Sequence, residues 1–197
     1  MKLSRSLKDF KKIHISKNNQ AICYSKNCKN YSFVENLYKF ILVKKNSFIF
    51  ESVEKGTIRG RYTIIGFNPD KTYNIKKDRI IVDNFKSKQI IKKNILSFLN
   101  ELLKDFKVKS SGDMPTMSSM LVGYFSYDII RLVEKISDKC KNDIDIPDIR
   151  LIRPRNLVIY DNLKKKIFFI KNIFSDFVIE NYKLEYNQIK REFKDLQ

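Results

Sequence analysis

Apolar side chains recur along this chain with two rhythms, and the switches between them outline its elements. Steps of three and four residues, the period of one helix face, run through residues 4–12 with Leu7 and Phe10 on one side. They recur through 30–44 with Phe33, Leu37, Phe40 and Ile41. The clearest amphipathic stripe is Ile95, Phe98, Leu99, Leu102, Leu103 and Phe106 within 91–107. A last one, Val178, Tyr182, Tyr186, Ile189 and Phe193, predicts a helix over 176–196. Between the helices lie runs rich in β-branched and aromatic residues, which read as strands. They cover 20–25, 46–53 and 60–66, a hairpin over 72–85 turning near Lys77 and Asp78, and a second hairpin, "RNLVIYDN" with "KKIFFIKN", turning near Leu163 and Lys164. Gly56 supplies a permissive backbone for the turn before 60–66, and the Gly66–Asn68–Pro69 signal closes that strand. Residues 108–119 read as loop. Residues 120–136 read as a strand running into a helix, which Ser126 or Asp128 caps by accepting from a free N–H.

Helices and antiparallel hairpins therefore mix without regular βαβ alternation. This predicts an α+β fold, antiparallel β-sheets in a sandwich-like arrangement with packed helices. No internal repeat, low-complexity tract or domain boundary is visible, so the chain reads as one domain over residues 1–197.

Composition adds limits. With 197 residues and 43% hydrophobic content, the chain can bury a sizeable core. No run approaches the ~18 apolar residues of a membrane span, and no apolar h-region follows the basic N-terminus. Cys23, Cys28 and Cys140 are an odd number without zinc-site spacing and read as reduced thiols, and the single His14 cannot build a metal cluster. The expectation is a cytoplasmic protein with no membrane contact. A net charge of +18 raises nucleic-acid binding as an alternative class. Lysine dominates over arginine, the charge is spread along the chain, and no RNP-like string, zinc finger or helix-turn-helix pattern is present. The charge reads as solvated, with no nucleic-acid partner.

Candidate chemistry centres on residues 48–69, "FIFESVEKGTIRGRYTIIGFNP". Strand alternation places Ile49, Glu51 and Val53 on one side, and Phe48, Phe50 and Ser52 on the other. A carboxylate in so apolar a run needs compensation, since a buried, unpaired charge is strongly destabilising. Two readings stand. In one, Glu51 pairs across a hairpin with Arg59 or Arg61. In the other, Glu51 and Ser52 line a cavity for a ligand bearing an ammonium group, with an arginine for its carboxylate. Nothing implies catalysis: there is no nucleophile elbow, no phosphate loop and no set of metal-spaced carboxylates. Asp128 and Glu134 read as a cap and a surface residue rather than a general base. The sequence thus offers no catalytic residue and no metal ligand.

Three segments carry a resemblance to a known family. "NSFIFESVEKGTIRGRYTIIGFNPD" resembles the N-terminal region of anthranilate synthase component I, with its Leu-Leu-Glu-Ser-Val-Glu and Gly-Arg-Tyr-Ser motifs. Thr63 stands for the serine, and Ile49 and Phe50 for the leucines. "MPTMSSMLVGYFSYDIIRLVEKI" is similar to the family's Gly-Tyr-Leu-Gly-Tyr-Asp segment in Gly123, Tyr124, Tyr127, Asp128, Arg131 and Glu134, with Ser126 for a glycine. "IPDIRLIRPRNLVIYDNLKKKIFFI" is similar to its Leu-Pro-Asp segment and following hairpin. Order and spacing match along nearly the whole chain.

The resemblance implies the N-terminal, regulatory lobe of a larger two-lobed enzyme. That enzyme joins chorismate with ammonia, delivered from glutamine by a separate amidotransferase subunit, to make anthranilate and pyruvate for tryptophan synthesis. It implies that L-tryptophan, the feedback inhibitor, binds at Glu51 and Ser52, with Arg61 and Tyr62 in support. Mg²⁺ and the catalytic histidine belong to a chorismate-binding domain whose motifs this sequence lacks, so no cofactor and no activity are expected of this chain by itself. An apolar face where that domain packs is also expected. Within the family, aminodeoxychorismate synthase component I, of folate synthesis, is the alternative; the intact Glu-Ser-Val-Glu and Gly-Arg-Tyr motifs favour the anthranilate branch.

Overall fold

Local signals start the helices where polar side chains meet the first free N–H groups. Ser6 accepts from the Asp9 N–H and opens α1 (Leu7–Ile15), Asn94 accepts from the Ser97 N–H and opens α3 (Ile95–Asp105), and Asn181 accepts from Lys183 and Leu184 to open α4 (Tyr182–Asp195). The computed structural model describes residues 2–51, 60–109, 112, 114–137 and 144–196. The other described elements are β1 (Asn19–Asn27), α2 (Ser32–Leu42), β2 (Phe48–Glu51), β3 (Tyr62–Lys76), β4 (Arg79–Asp83), β5 (Lys88–Ile91), β6 (Val108–Lys109), β7 (Val122–Phe125), a 3₁₀ turn at Tyr127–Leu132, β8 (Ile149–Asp161) and β9 (Lys166–Ile173). The class is α+β with mostly antiparallel pairing, as the mixed rhythms predict.

The chain divides into two compact units. The first takes in Met1–Asn68, Val108–Met120 and Pro154–Gln197; the second takes in Pro69–Lys107 and Leu121–Arg153. Each unit is assembled from segments that are not contiguous in sequence. β3 and β8 each start in one unit and end in the other, and a proline, Pro69 or Pro154, is the first residue past each crossing.

In the first unit, β8, β9, β1 and β6 lie side by side, with Asn156 opposite Lys171, Ile170 opposite Cys23, and Asn19 opposite Val108. Alternation along β9 sends Ile167, Phe169 and Ile173 into a core with Phe10, Ile22, Val34, Leu37, Ile41 and Phe193. It sends Phe168 and Ile170 to the opposite face, with Cys23, Leu157 and Ile159, where Phe48, Tyr62, Ile64 and three methionines pack. Each fully buried Phe or Ile contributes about 1.5–3 kcal/mol. Lys171 is the polar exception on the helix side. Its Nζ donates to Glu192 Oε2 at 2.7 Å and to Asn156 Oδ1 at 3.0 Å, while burial and the Arg155 charge lower its pKa.

In the second unit, β3, β4 and β5 form an antiparallel ladder, and β7 pairs with the start of β8. Tyr73, Ile75, Ile80, Ile149 and Leu151 pack against Ile95 and Phe98 of α3. Arg153 and Asp70 pair through two bonds of 2.7 Å. Leu96, Leu99, Phe125, Tyr127 and Val133 line an open apolar groove of about 580 Å³.

Several expectations are corrected. The Gly-Asn-Pro signal does not end the second strand: Asn68 takes a left-handed φ of 50°, so the turn-prone step becomes a local kink and pairing continues to Lys76. The helix expected over 91–107 starts only at the Asn94 cap, and residues 88–91 are a strand. The segment after β7 is a 3₁₀ turn rather than a longer helix, and Ser126 makes no side-chain cap there; Asp128 instead faces Arg131 at 3.1 Å. The last helix begins at Tyr182, and Val178 is exposed outside it. Of the α2 stripe, Leu37 and Ile41 are buried; the side chain of Phe40 lies outside the described set.

Candidate functional site

β2 pairs antiparallel with β3 from Phe48 opposite Gly66 to Glu51 opposite Thr63. Gly66 leaves room for the Phe48 ring, which a Cβ at that position would force to move. The register fixes which way Glu51 faces: with Ile49, toward the side where α2 packs, while Phe48 goes to the opposite core. Two residues of α2 and its N-terminus meet it. Tyr31, at the N-cap position, and Tyr38, seven residues on, share a helix face and present both hydroxyls to the strand end.

Tyr31 donates to Glu51 Oε1. Its oxygen also lies 2.8 Å from the Tyr38 hydroxyl and 3.3 Å from Thr63 Oγ1. The Tyr31 ring stands edge-on to Tyr160 at 5.4 Å, and Tyr160 donates to the Cys28 carbonyl at 3.1 Å. Burial, then the bond to Glu51, pushes the Tyr31 phenol above its ordinary pKa; burial, then the bond to Tyr31, does the same to Tyr38. Both phenols are neutral at physiological pH. Glu51 is solvent-exposed, and among the described residues a hydroxyl, rather than a cation, is its partner.

Arg61 does not pair with Glu51. Its Nε lies 3.1 and 3.2 Å from the two Asp161 oxygens, and its Nη2 2.7 Å from Oδ2. Asp161 is almost fully buried and also accepts from the Leu163 and Lys164 N–H groups, both at 3.0 Å, which closes the turn between β8 and β9. Burial opposes its charge, but the Arg61 bond and the two turn N–H groups together hold its pKa below the usual carboxylate range. Gly60 takes φ 80°, and Asn162 donates its N–H to the Arg61 carbonyl at 2.7 Å. The Gly-Arg-Tyr step thus ties the start of β3 to the β8–β9 turn: the glycine admits the left-handed bend, the arginine supplies the anchor, and Tyr62 packs beneath the guanidinium at 4.8 Å.

Of the expected site residues, Glu51, Arg61 and Tyr62 are placed as above. Ser52 and Arg59 lie outside the described residues. Sequence reasoning missed Tyr31, Tyr38 and Asp161. The seven-residue spacing of the two tyrosines was a usable signal, because it puts them on one face of a helix just before the strand. Asp161, 100 residues from Arg61, left none.

No family model matches the chain. It is similar to anthranilate synthase component 1 of Acetivibrio thermocellus, 31% identical over 127 residues, 64% of this chain and 26% of that protein. For the component 1 of Pseudomonas aeruginosa the figures are 36% over 127 residues, 62% and 26%. For that of Aquifex aeolicus they are 32% over 148 residues, 75% and 29%. The fold is similar to the crystal structure of anthranilate synthase component I from Streptococcus pneumoniae, with a TM-score of 0.53, 22% identity, and coverage of 81% of this chain and 34% of that one. The chain spans about a quarter of the length of the curated relatives it matches.

Proposed function

We propose that this chain, homologous to the N-terminal region of anthranilate synthase component I, is the tryptophan-binding regulatory part of such an enzyme. Its chemistry, chorismate with glutamine-derived ammonia to anthranilate and pyruvate, then belongs to a chorismate-binding region supplied elsewhere, and glutamine hydrolysis to an amidotransferase partner, component II. The relatives named above support this branch over aminodeoxychorismate synthesis.

One observation carries the reading. Glu51 ends an otherwise apolar strand with an exposed carboxylate whose partner among the described residues is a neutral phenol. A ligand ammonium would bind this carboxylate through a charge-assisted hydrogen bond, with Ser52 next to it in sequence. Arg61 supports the site from behind, by fixing the start of β3, since its guanidinium already serves Asp161. Mg²⁺ belongs, in this reading, with the chorismate-binding region. No helix among the described residues is long and apolar enough to cross a membrane, and the reading places the protein in the cytoplasm. Coupling between inhibitor and chemistry is expected at about 1–3 kcal/mol, the usual range for linked sites.

The chain contains no tryptophan, so indole fluorescence excited beyond the tyrosine band reports the ligand alone. Titrating L-tryptophan with the chain, and with Glu51→Ala and Ser52→Ala, tests the assignment by fluorescence and calorimetry. Glu51→Ala is expected to weaken binding about 10-fold or more, the worth of a charge-assisted hydrogen bond. Equal affinity in wild type and Glu51→Ala would end the reading.

A further inference from the structure

The arrangement around Glu51 contains more than a carboxylate. Three hydroxyls converge on one point, and an ionised Glu51 can only accept from them. An ionised Glu51 has no proton to give, so the Tyr31 O–H points at Oε1. The Tyr31 oxygen lies 2.8 Å from the Tyr38 hydroxyl and 3.3 Å from Thr63 Oγ1, and in each contact either oxygen can accept. Thr63 is buried behind this cluster, whereas Glu51 is open to solvent. The Tyr31 proton thus has two further acceptors within reach, Tyr38 and Thr63. Turning it from Glu51 to Thr63, or to Tyr38 as the Tyr38 proton turns away, needs only rotation about C–O bonds, with no heavy atom moved.

We propose that Tyr31 is the resting partner of the Glu51 carboxylate and hands it over to an incoming primary ammonium, redirecting its own proton to Tyr38 or Thr63. The inference rests on the reading that Glu51 receives an ammonium. Its consequence is that a neutral phenol competes with the ligand for the same oxygen, so Tyr31 lowers the affinity of the site and Tyr38 moderates that loss. A ligand with a weaker or sterically blocked donor, such as an N-acylated amine, does not displace the phenol. A protein cation on Glu51 would have competed far more strongly, because a like-charged ligand would have to break an ion pair.

The experiment titrates L-tryptophan and tryptamine against the full 197-residue chain and its Tyr31→Phe and Tyr38→Phe variants, each first shown to unfold cooperatively. Tyr31→Phe is expected to bind about 2- to 10-fold more tightly, the range of one net hydrogen bond. Tyr38→Phe, which removes one fallback acceptor, is expected to bind more weakly than wild type. Tryptophan binding that is unchanged or weaker in Tyr31→Phe overturns the handover and leaves the tryptophan assignment standing. Tryptamine that tightens in Tyr31→Phe, with tryptophan bound by neither form, supports the handover and ends that assignment. Neither ligand bound by any form overturns both. Should Tyr31→Phe fail to fold, the Tyr38→Phe arm decides: affinity equal to or above wild type overturns the proposal.

Discussion

Replacing Asp161 separates two jobs that one buried carboxylate performs. Asp161→Asn keeps an amide oxygen for the Leu163 and Lys164 N–H groups, which bind it at 3.0 Å each, but removes the charge facing Arg61. Asp161→Ala removes both. Losing the charge assistance at so buried an acceptor costs about 1–2 kcal/mol. Stripping two turn N–H groups of their acceptor adds about 1 kcal/mol each, for about 3–4 kcal/mol in the alanine variant. At about 2–4 °C per kcal/mol for a chain of this size, the thermal midpoint should fall by about 5 °C in Asp161→Asn and by about 10 °C in Asp161→Ala. The native pKa of Asp161 lies below its unfolded value. The charge contribution is therefore fully present above the ordinary carboxylate pKa, about 4, and is lost as pH falls through the lower native value. Differential scanning calorimetry at pH 7 and pH 3 measures both parts. Equal losses in Asn and Ala would show that the turn N–H groups do not depend on this oxygen. A wild-type-to-Asn gap that stays the same at pH 3 would show that charge is not involved.

Two glycines should rank by what their missing Cβ would strike. In Gly66→Ala the obstacle is the Phe48 ring, which can rotate away, for a loss of about 1–2 kcal/mol. In Gly123→Ala it is the Arg150 backbone carbonyl, its carbon 2.7 Å away, for a loss of about 3 kcal/mol or more; urea denaturation showing the reverse order would refute the packing argument. Alkaline pH should destabilise the protein, because burial raises the Tyr31 and Tyr38 phenols and lifts the Cys23 thiol to about 12. Raised native values mean the stability is intact below the ordinary pKa values, about 8.5–10, and drains as pH climbs past them; a thermal midpoint unchanged between pH 8 and pH 11 would contradict this.

The sequence by itself determined whatever depends on neighbours a few residues apart. Helical spacing predicted α2 and α3, and the β8–β9 hairpin turns where its polar step lies. The run Phe48–Phe50 ending on Glu51 read as a carboxylate in an apolar setting, whereas the fold leaves that strand end open to solvent. Tertiary structure decided who the partners are, because pairing at long separation leaves no periodic trace in the chain. Arg59 or Arg61 was an expected mate for Glu51 from proximity along a hairpin. Instead Arg61 reaches Asp161 100 residues away, and Glu51 meets Tyr31, 20 residues earlier on another element. Nor did the Asn68–Pro69 step reveal its role, since a kink inside a strand and a turn ending one share the same local chemistry. Only the ladder on either side of it, with β2 before and β4 after, distinguishes them.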